Sequence, residues 1–577
     1  MSIVAAIIAC VIAGSAIGLG GVYIWAYWPT RPFAPAAYTP APPARWPTRG
    51  WARSTPEAQG ISSRKLLELA AAAAERTASD PDFFIDSMTV VRNGTIVAEI
   101  YPNPHYPPDT LHVIHSATKS IVSALIGIAI DRRLIDSVDV ALFEFFPDRE
   151  IAAIDDGKQA LRLRDLLSMQ SGLHSRDSYL YGYEGLLALQ QSDDWVKFAL
   201  ELPLAAEPGT RFDYSNIATF LLGAVLARAT NTDVLDFARE ALFEPLGIQD
   251  VRWEWTKGKV PIAWARMWLK PDDLAKIGLL YLQKGQWDGQ QIIPAKWIED
   301  SLSPHAFPKN AVHILNPDRS RNRELTTRNW VGQQFFRAFN DGYGYQWWLD
   351  RDGTFAAFGT NGQFLIVSPE HNLIFVVTAK CRGLAQFGPA KLFRKYVIPA
   401  VQSDASLPED EAAQRELSAL AVSPMPERAV HASAPVPDDA RSVSGKTFAM
   451  ESNPYNTNNI CLDFDADGTV VEISYTARED WSVRYEVGLD GVYRRTENET
   501  GAYFAVGRWV GENTLRVELE IVGYTTFDSW GFTFDGDTLI VSESTVTGDY
   551  TYKGEPATAT TPAPAEGPST RNEPKPN

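Results

Sequence analysis

The sequence predicts an α/β (α+β) protein in which an antiparallel sheet, flanked by helices and a helical subdomain, precedes a small all-β domain. Strand-like segments lie near both ends of residues 57–400, with helical patterns between them. From about residue 442 the pattern changes to strict alternation with repeated Asp-Gly turns. The 577 residues, of which 45% are hydrophobic, suffice for several domains with cores of their own.

The elements of the first domain follow in chain order. Residues 87–101 predict two strands around Asn93-Gly94, a dipeptide typical of tight hairpins. Apolar spacing predicts helices over 233–242 and 271–282, and Pro271 is placed to begin the second. Buried strands are predicted over 355–367 and 373–378. A domain that starts and ends in strands indicates one antiparallel sheet that joins both ends.

The remaining chain divides by composition. Strict alternation over 515–521 predicts a strand with one dry and one wet face, and Asp-Gly turns at 467–468, 490–491 and 535–536 favour a small barrel or sandwich. We therefore expect this division: a membrane segment or signal anchor (1–30), a Pro-rich linker (31–56), an α/β domain (57–400), a linker (401–441), an all-β domain (442–553) and a disordered tail (554–577).

The N-terminal segment suggests a membrane span. Residues 3–28 contain no charged side chain, a length that fits a span better than a short export signal, which stays the alternative. Arginines follow the segment and none precedes it, so the positive-inside rule taken literally places the domains in the cytoplasm. We nevertheless expect the anchored domains to lie on the extracytoplasmic side of the membrane. The segment alone leaves the orientation open.

Charge and cysteine content narrow the function classes. The formal charge of -18 disfavours a nucleic-acid partner, because phosphate binding needs a basic surface. Three widely spaced cysteines give no disulfide framework, and the eight histidines form no H-x-x-x-H pair. The sequence thus predicts neither a metal nor another cofactor.

One Ser-x-x-Lys pair carries the functional prediction. Ser116 and Lys119 stand where a nearly wholly apolar helix begins, so they share one helix face and the lysine lies at the edge of a core. Desolvation there lowers a lysine pKa, which suits an amine that activates a serine. A second pair, Ser62 and Lys65, opens an amphipathic segment and is predicted to be only a helix N-cap.

Two downstream motifs offer partners for such a serine. A Pro-Gly turn delivers Tyr214 and Asn216, a phenol and an amide, although a turn tyrosine packed on a helix is the alternative. A similar pair at 101 and 103 lies in a Pro-rich loop expected to be exposed. Glycines in 359–363 permit close backbone approach, and an edge strand there could donate an N–H to an oxyanion, unless this is a plain turn.

In this order the motifs resemble the serine β-lactamase and penicillin-binding-protein superfamily, in its class C branch, with family VIII esterases and above all nylon-oligomer (aminohexanoate-dimer) hydrolases as the nearest groups. The resemblance covers roughly residues 50–400, and residues 442–553 weakly resemble lipocalin-like appendages. It implies that Ser116 is acylated, that Lys119 and Tyr214 transfer protons, and that Asn216 orients substrate. Substrate and oxyanion contacts fall on Thr360, Gly362 and the Gln363 N–H, with the Ser116 N–H as the second oxyanion donor.

The third motif departs from the family pattern, since Thr360 stands where relatives carry lysine or histidine. The missing cation weakens the β-lactamase or DD-peptidase alternative and favours a small-molecule ester or another amide as substrate. An inactive membrane-tethered sensor is the alternative from another class. A homodimer is possible, and the aromatic segment 253–268 is expected to pack in the core rather than line a pocket.

Overall fold

The computed structural model describes residues 38–557, except 81, 153, 178–182, 257, 309–340, 421–433, 454–456, 478–480, 499–500, 526 and 546–547. The predicted membrane span at 3–28 and most of the predicted tail lie outside these residues. Among the residues that the model describes, no helix is both long enough and apolar enough to cross a bilayer.

The strands of the α/β domain form one large sheet and two small ones. Their bounds are Ile85–Arg92 (β1), Thr95–Ile100 (β2), His112–Val113 (β3), Arg252–Trp253 (β4), Met267–Leu269 (β5), Gln286–Trp287 (β6), Gln290–Gln291 (β7), Gly342–Tyr343 (β8), Trp348–Leu349 (β9), Phe355–Gly359 (β10), Gln363–Ser368 (β11) and Leu373–Ala379 (β12). The large sheet is antiparallel, in the order β2-β1-β12-β11-β10-β9-β8. The small sheets are β3-β5-β4 and β6-β7.

The first and last long strands of the domain are neighbours, as the sequence predicted. Met88 of β1 pairs with Val377 of β12 and, on its other side, with Ile100 of β2. The hairpin between β1 and β2 turns at Asn93 and Gly94, with φ of 52° and 68°, values that Asn-Gly adopts readily.

Helices cover both faces of the large sheet. Their bounds are Ser63–Ser79 (α1), Thr118–Asp131 (α2), Asp156–Gln159 (α3), Leu163–Leu167 (α4), Glu184–Gln191 (α5), Trp195–Glu201 (α6), Asn216–Thr230 (α7), Val234–Ala238 (α8), Pro271–Leu282 (α9), Ala295–Ser301 (α10), Gly388–Leu392 (α11), Ile398–Ala400 (α12), Glu411–Ala419 (α13) and Asp438–Ser442 (α14). The helix predicted over 233–242 is split, since a π-helical turn, Arg239–Phe243, continues α8.

The side chains of β11 point alternately into two hydrophobic cores, one on each face of the sheet. Leu365 and Val367 enter the core that contains α2, α7 and α9, whereas Phe364 and Ile366 enter the core beneath α1. Period-two alternation places successive side chains on opposite faces, so a strand between two helical layers is apolar throughout.

The C-terminal strands close into a barrel. Their bounds are Thr447–Met450 (β13), Thr457–Phe464 (β14), Val470–Ala477 (β15), Trp481–Gly488 (β16), Arg494–Asn498 (β17), Gly501–Val510 (β18), Thr514–Ile521 (β19), Phe527–Asp535 (β20), Thr538–Thr545 (β21) and Gly548–Pro556 (β22). The sheet order is β16-β15-β14-β13-β22-β21-β20-β19-β18-β17, and a pairing between β16 and β18 closes it. Of the two predicted architectures, the barrel is therefore the one adopted.

The predicted alternation of β19 holds except at one residue. Leu515, Val517 and Leu519 fill the barrel interior, and Arg516 is exposed. Glu520, on the face predicted to be wet, is only 2% exposed. Glu520 is buried because this end of β19 lies against the α/β domain, where Lys380 pairs with the Glu520 carboxylate.

Candidate active site

Ser116 lies on a short 3₁₀ turn, His115–Ala117, that leads directly into α2. The turn leaves Ser116 partly exposed, while α2 is buried from Thr118 to Ala129. The all-apolar pattern after the serine therefore predicted the environment of the helix correctly. Lys119, in its first turn, is only 1% exposed.

The Lys119 amine has three oxygen partners. Nζ lies 3.0 Å from Ser116 Oγ, 2.8 Å from Asn216 Oδ1 and 2.8 Å from the Trp264 carbonyl oxygen. A neutral amine carries two N–H bonds and one lone pair. The amide and carbonyl oxygens can only accept hydrogen bonds, so they take the two N–H groups. The lone pair is then directed at the Ser116 hydroxyl, the arrangement that a general base requires.

Electrostatics favour that neutral amine. Burial lowers the pKa of Lys119 well below its usual range, and the charge of Asp177 opposes the effect only in part. Asp177 is itself buried, and burial raises the pKa of its carboxyl group. The balance leaves an amine that can take a proton from Ser116.

The second motif is delivered by the start of α7. Ser215 caps this helix by accepting from the Ala218 N–H, which turns Tyr214 and Asn216 to the same side as Lys119. Burial raises the pKa of the Tyr214 phenol, and the neighbouring Ser116 hydroxyl lowers this pKa only in part. The Tyr214 ring lies 5.0 Å from Lys119 Nζ and stacks on Trp348 at 5.7 Å between centroids.

Residues 359–363 form the hairpin between β10 and β11. A Cβ atom on Gly359 would lie 2.2 Å from the Ile114 carbonyl oxygen, so only glycine permits this approach to the segment before Ser116. Asn361 and Gly362 have φ of 64° and 92°, which turns the chain tightly. β11 lies between β10 and β12, so the expectation of an edge strand was wrong. The end of the hairpin, not a sheet edge, approaches the serine.

The Gln363 side chain and the Thr360 carbonyl group stabilise the hairpin between β10 and β11. Gln363 is fully buried, and its Nε2 donates to the Ala379 carbonyl oxygen at 2.6 Å while its Oε1 accepts from the Ala379 N–H. Thr360 is partly buried, and its carbonyl oxygen accepts from Gln363 Nε2 at 3.4 Å. The Gln363 side chain thus fixes the position of its own backbone.

Asp177 supports the second motif and was missed by sequence reasoning. Its carboxylate accepts hydrogen bonds from the Ile217 N–H at 2.5 Å, from Ser175 Oγ at 2.7 Å and from Ser215 Oγ at 3.2 Å. Its carbonyl oxygen accepts from Asn216 Nδ2 at 2.8 Å, which aims the amide oxygen at the lysine. A lone Asp in a loop carries no local signal for this role.

The second Ser-x-x-Lys pair (Ser62 and Lys65) and the second Tyr-x-Asn pair (Tyr101 and Asn103), called the decoy motifs below, have structural roles. Ser62 is the N-cap of α1, accepting from the Lys65 N–H, as predicted, and Lys65 pairs with Glu68. The pair at 101 and 103 was expected in an exposed loop, which is wrong. Tyr101 is 7% exposed and Asn103 is fully buried, because Asn103 donates to two buried carboxylates.

The aromatic segment 253–268 packs in the core, as predicted. Trp253 and Trp264 belong to the hydrophobic core, and the Trp264 carbonyl oxygen accepts from the Lys119 amine. Among the described residues, no group of three or more His, Cys, Asp or Glu side chains is arranged to hold a metal ion.

The chain is similar to known proteins over its first domain. Residues 82–395, more than half of the chain, match the family model described as Beta-lactamase. The 6-aminohexanoate-dimer hydrolase of Paenarthrobacter ureafaciens is 23% identical over 312 residues, which cover 50% of this chain and 71% of that protein.

Two solved structures are similar at lower identity. The octameric penicillin-binding protein homologue from Pyrococcus abyssi has a TM-score of 0.43 and 15% identity, with 85% of this chain and 100% of that chain covered. A family VIII carboxylesterase has a TM-score of 0.42 and 16% identity, with 58% and 98% covered. On the match over residues 82–395, this chain belongs to the Beta-lactamase family.

Proposed function

We propose that this protein is a serine hydrolase that cleaves an ester or amide bond through an acyl-enzyme on Ser116. One observation carries the proposal: the buried Lys119 amine, with its pKa lowered by burial, lies 3.0 Å from Ser116 Oγ while two acceptors hold its N–H groups. A lysine so placed activates a serine without any metal or cofactor.

The chemistry follows from these contacts. The Ser116 proton passes to Lys119 Nζ as Oγ bonds to the carbonyl carbon of the substrate, and the carbonyl π electrons move to its oxygen. When the tetrahedral adduct collapses, the leaving group departs with a proton that Lys119 and Tyr214 supply. Water then attacks the acyl-enzyme and gives a proton to Lys119, and Lys119 passes this proton to Ser116 Oγ as the bond between Oγ and the acyl carbon breaks and the acid is released.

The oxyanion donors in this proposal are the backbone N–H groups of Ser116 and Gln363. Support comes from the hairpin, because Gly359 pairs with Gln363 and also touches Ile114. Preorganised donors of this kind stabilise developing charge by several kcal/mol, about 2.7–4 kcal/mol for one donor.

The substrate class follows from the third motif. Thr360 supplies no positive charge where relatives carry a cation, which favours a neutral acyl group over a carboxylate-bearing antibiotic or peptidoglycan peptide. The likeness to a protein named 6-aminohexanoate-dimer hydrolase supports a small amide as one candidate beside esters. A β-lactamase or DD-peptidase stays the alternative reaction, and an inactive sensor the alternative from another class.

A serine-directed fluorophosphonate probe tests the proposal. Wild type is expected to become labelled, Ser116→Ala to remain unlabelled, and Ser62→Ala, the matched change in the decoy motif, to label like wild type. No labelling of wild type, or equal labelling of the Ser116 variant, contradicts the hydrolase. Turnover of p-nitrophenyl butyrate but not nitrocefin selects the esterase or amidase over the β-lactamase.

Anchoring and assembly belong to the same proposal. The uncharged segment 3–28 supports attachment to a membrane, and we place the catalytic domain on the extracytoplasmic side. The assembly to test is a homodimer: sedimentation of the detergent-solubilised chain at twice its mass supports the dimer, and sedimentation at its single mass contradicts it. Carbonate extraction of membranes tests the anchor. Release of the full chain into the soluble fraction contradicts it.

A further inference from the structure

The connection from β19 to β20 is one of the places where the barrel contacts the α/β domain, and it lies beside the nucleophile. The Gly523 carbonyl oxygen accepts from the Val113 N–H at 2.7 Å, three residues before the nucleophile. A Cβ atom on Gly523 would lie 2.3 Å from the Leu111 carbonyl oxygen, and its φ is 79°. Glycine is therefore required here by both space and conformation.

Thr525 of this hairpin bridges two parts of the active site. Its Oγ1 lies 2.5 Å from His115 Nε2, on the residue that precedes the nucleophile. Its Oγ1 and its carbonyl oxygen each accept from Asn361 Nδ2 at 3.1 Å, in the third motif. One threonine thereby links the turn that carries Ser116 to the hairpin that carries Gln363.

A buried ion cluster anchors the same hairpin. Glu520 accepts from Lys380 Nζ at 2.9 Å, from His105 Nδ1 at 2.6 Å and from Asn103 Nδ2 at 2.6 Å. Lys380 also pairs with Asp86, and the side chains of all three charged residues are at most 2% exposed. A buried charge left without its partner is unfavourable, so the cluster holds the barrel in one position.

The cluster and the third motif share one short segment of backbone. Lys380 contacts the barrel through its side chain, while its neighbours face the site. Ala379 holds the Gln363 side chain, and the Cys381 N–H donates to the Asn361 carbonyl oxygen at 2.9 Å. A displacement of the barrel would therefore be transmitted to the strand that supplies the oxyanion donor.

We propose that Thr525 is a positioning residue of the hydrolytic site, which fixes the third motif against the nucleophile turn through its contacts with His115 and Asn361. The inference rests on the proposed function. It assigns to the barrel a part in catalysis, beyond attachment, through a residue that positions the reacting groups. Loss of the Thr525 hydroxyl lowers the rate of acylation, because small displacements of reacting groups cost rate steeply.

The test replaces Thr525 with valine, which keeps the side-chain volume and removes the hydroxyl. Thr514→Val is the matched control, since it removes a threonine contact, to Thr533 at 2.9 Å, at the opposite end of β19. With p-nitrophenyl butyrate, Thr525→Val is expected to lower kcat about 10- to 100-fold with KM nearly unchanged. Thr525→Ser is expected to restore most of kcat, and Thr514→Val to behave as wild type.

Several results separate this inference from its alternatives. Equal kcat in Thr525→Val and Thr514→Val overturns it, and a fall in thermal midpoint with unchanged kcat assigns Thr525 a structural role only. Should the valine variant not fold, Thr525→Ala takes its place under the same criteria. If wild type is labelled at Ser116 and the Thr525 variants are labelled equally fast, this inference alone is wrong. If wild type is not labelled at all, the proposed function is wrong.

Discussion

Replacing Lys119 by methionine tests whether the amine is neutral in the folded protein. Methionine keeps an unbranched apolar side chain and removes the titrating group. At a fixed pH the variant leaves Asn216 Oδ1 and the Trp264 carbonyl oxygen without a donor, at a cost of about 1–3 kcal/mol each. That cost is an offset in stability that does not change with pH.

The diagnostic quantity is the pH dependence. The pKa of Lys119 is lowered in the folded state, so between that lowered value and about 10.4 the unfolded chain binds one proton more than the folded protein. In that pH range Lys119 makes the unfolding free energy of the wild type increase by about 1.4 kcal/mol per pH unit. The cost of deprotonating Lys119 on folding disappears once pH exceeds the pKa of the unfolded chain. The methionine variant lacks this contribution.

Urea unfolding followed by tryptophan fluorescence at pH 7, 8 and 9 measures the difference. The difference in unfolding free energy, wild type minus Lys119→Met, is expected to increase as pH rises. The same difference for Lys65→Met, at the exposed lysine of the decoy motif, should not change with pH. In parallel, kcat/KM of Lys119→Met should fall by about 10²- to 10⁴-fold, the usual contribution of a general base. Parallel stability curves for wild type and Lys119→Met would refute a neutral amine and with it the proposed base.

Three further predictions concern the geometry around the serine. Gly359→Ala places a Cβ 2.2 Å from the Ile114 carbonyl oxygen and should slow fluorophosphonate labelling at least tenfold, whereas Gly258→Ala, with its nearest neighbour at 3.7 Å, should not; equal rates would contradict the required close approach. Tyr214→Phe keeps the ring and loses the hydroxyl, so kcat for p-nitrophenyl butyrate should fall about 10²-fold with the thermal midpoint unchanged, and an unchanged kcat would remove the phenol from proton transfer. Asp177→Asn removes a charge that raises the pKa of the active-site lysine, so the acid limb of the kcat/KM profile should move to lower pH; a limb that stays or moves upward contradicts this coupling.

The features that the sequence predicted depend on local spacing. Ser116 and Lys119 stand three apart on one helix, so their contact follows from the helical repeat. Asn93-Gly94 specifies its turn by backbone conformation, and the apolar strands at both ends of the domain leave one antiparallel sheet as the simplest arrangement. In each case the neighbours that determine the structure lie within a few positions or follow from a fold-level rule.

Two features that the sequence did not predict depend on contacts between the α/β domain and the barrel. Alternation along β19 assigned Glu520 to solvent, yet Lys380, 140 positions earlier in the chain, buries it. Asn103 was assigned to an exposed loop because its segment is rich in proline, yet its amide lies in the same cluster. A period-two pattern reports the face of a strand but not the domain that packs on it, so long-range polar contacts leave no local signal.

The bridge between His115 and Thr525 also has a consequence during synthesis. The two residues are 410 positions apart in the chain. At about 5–20 residues per second, the ribosome needs about 20–80 s to add the second after the first. For that interval the nucleophile turn exists without its partner from the barrel, so the contact between His115 and Thr525 can form only late in synthesis.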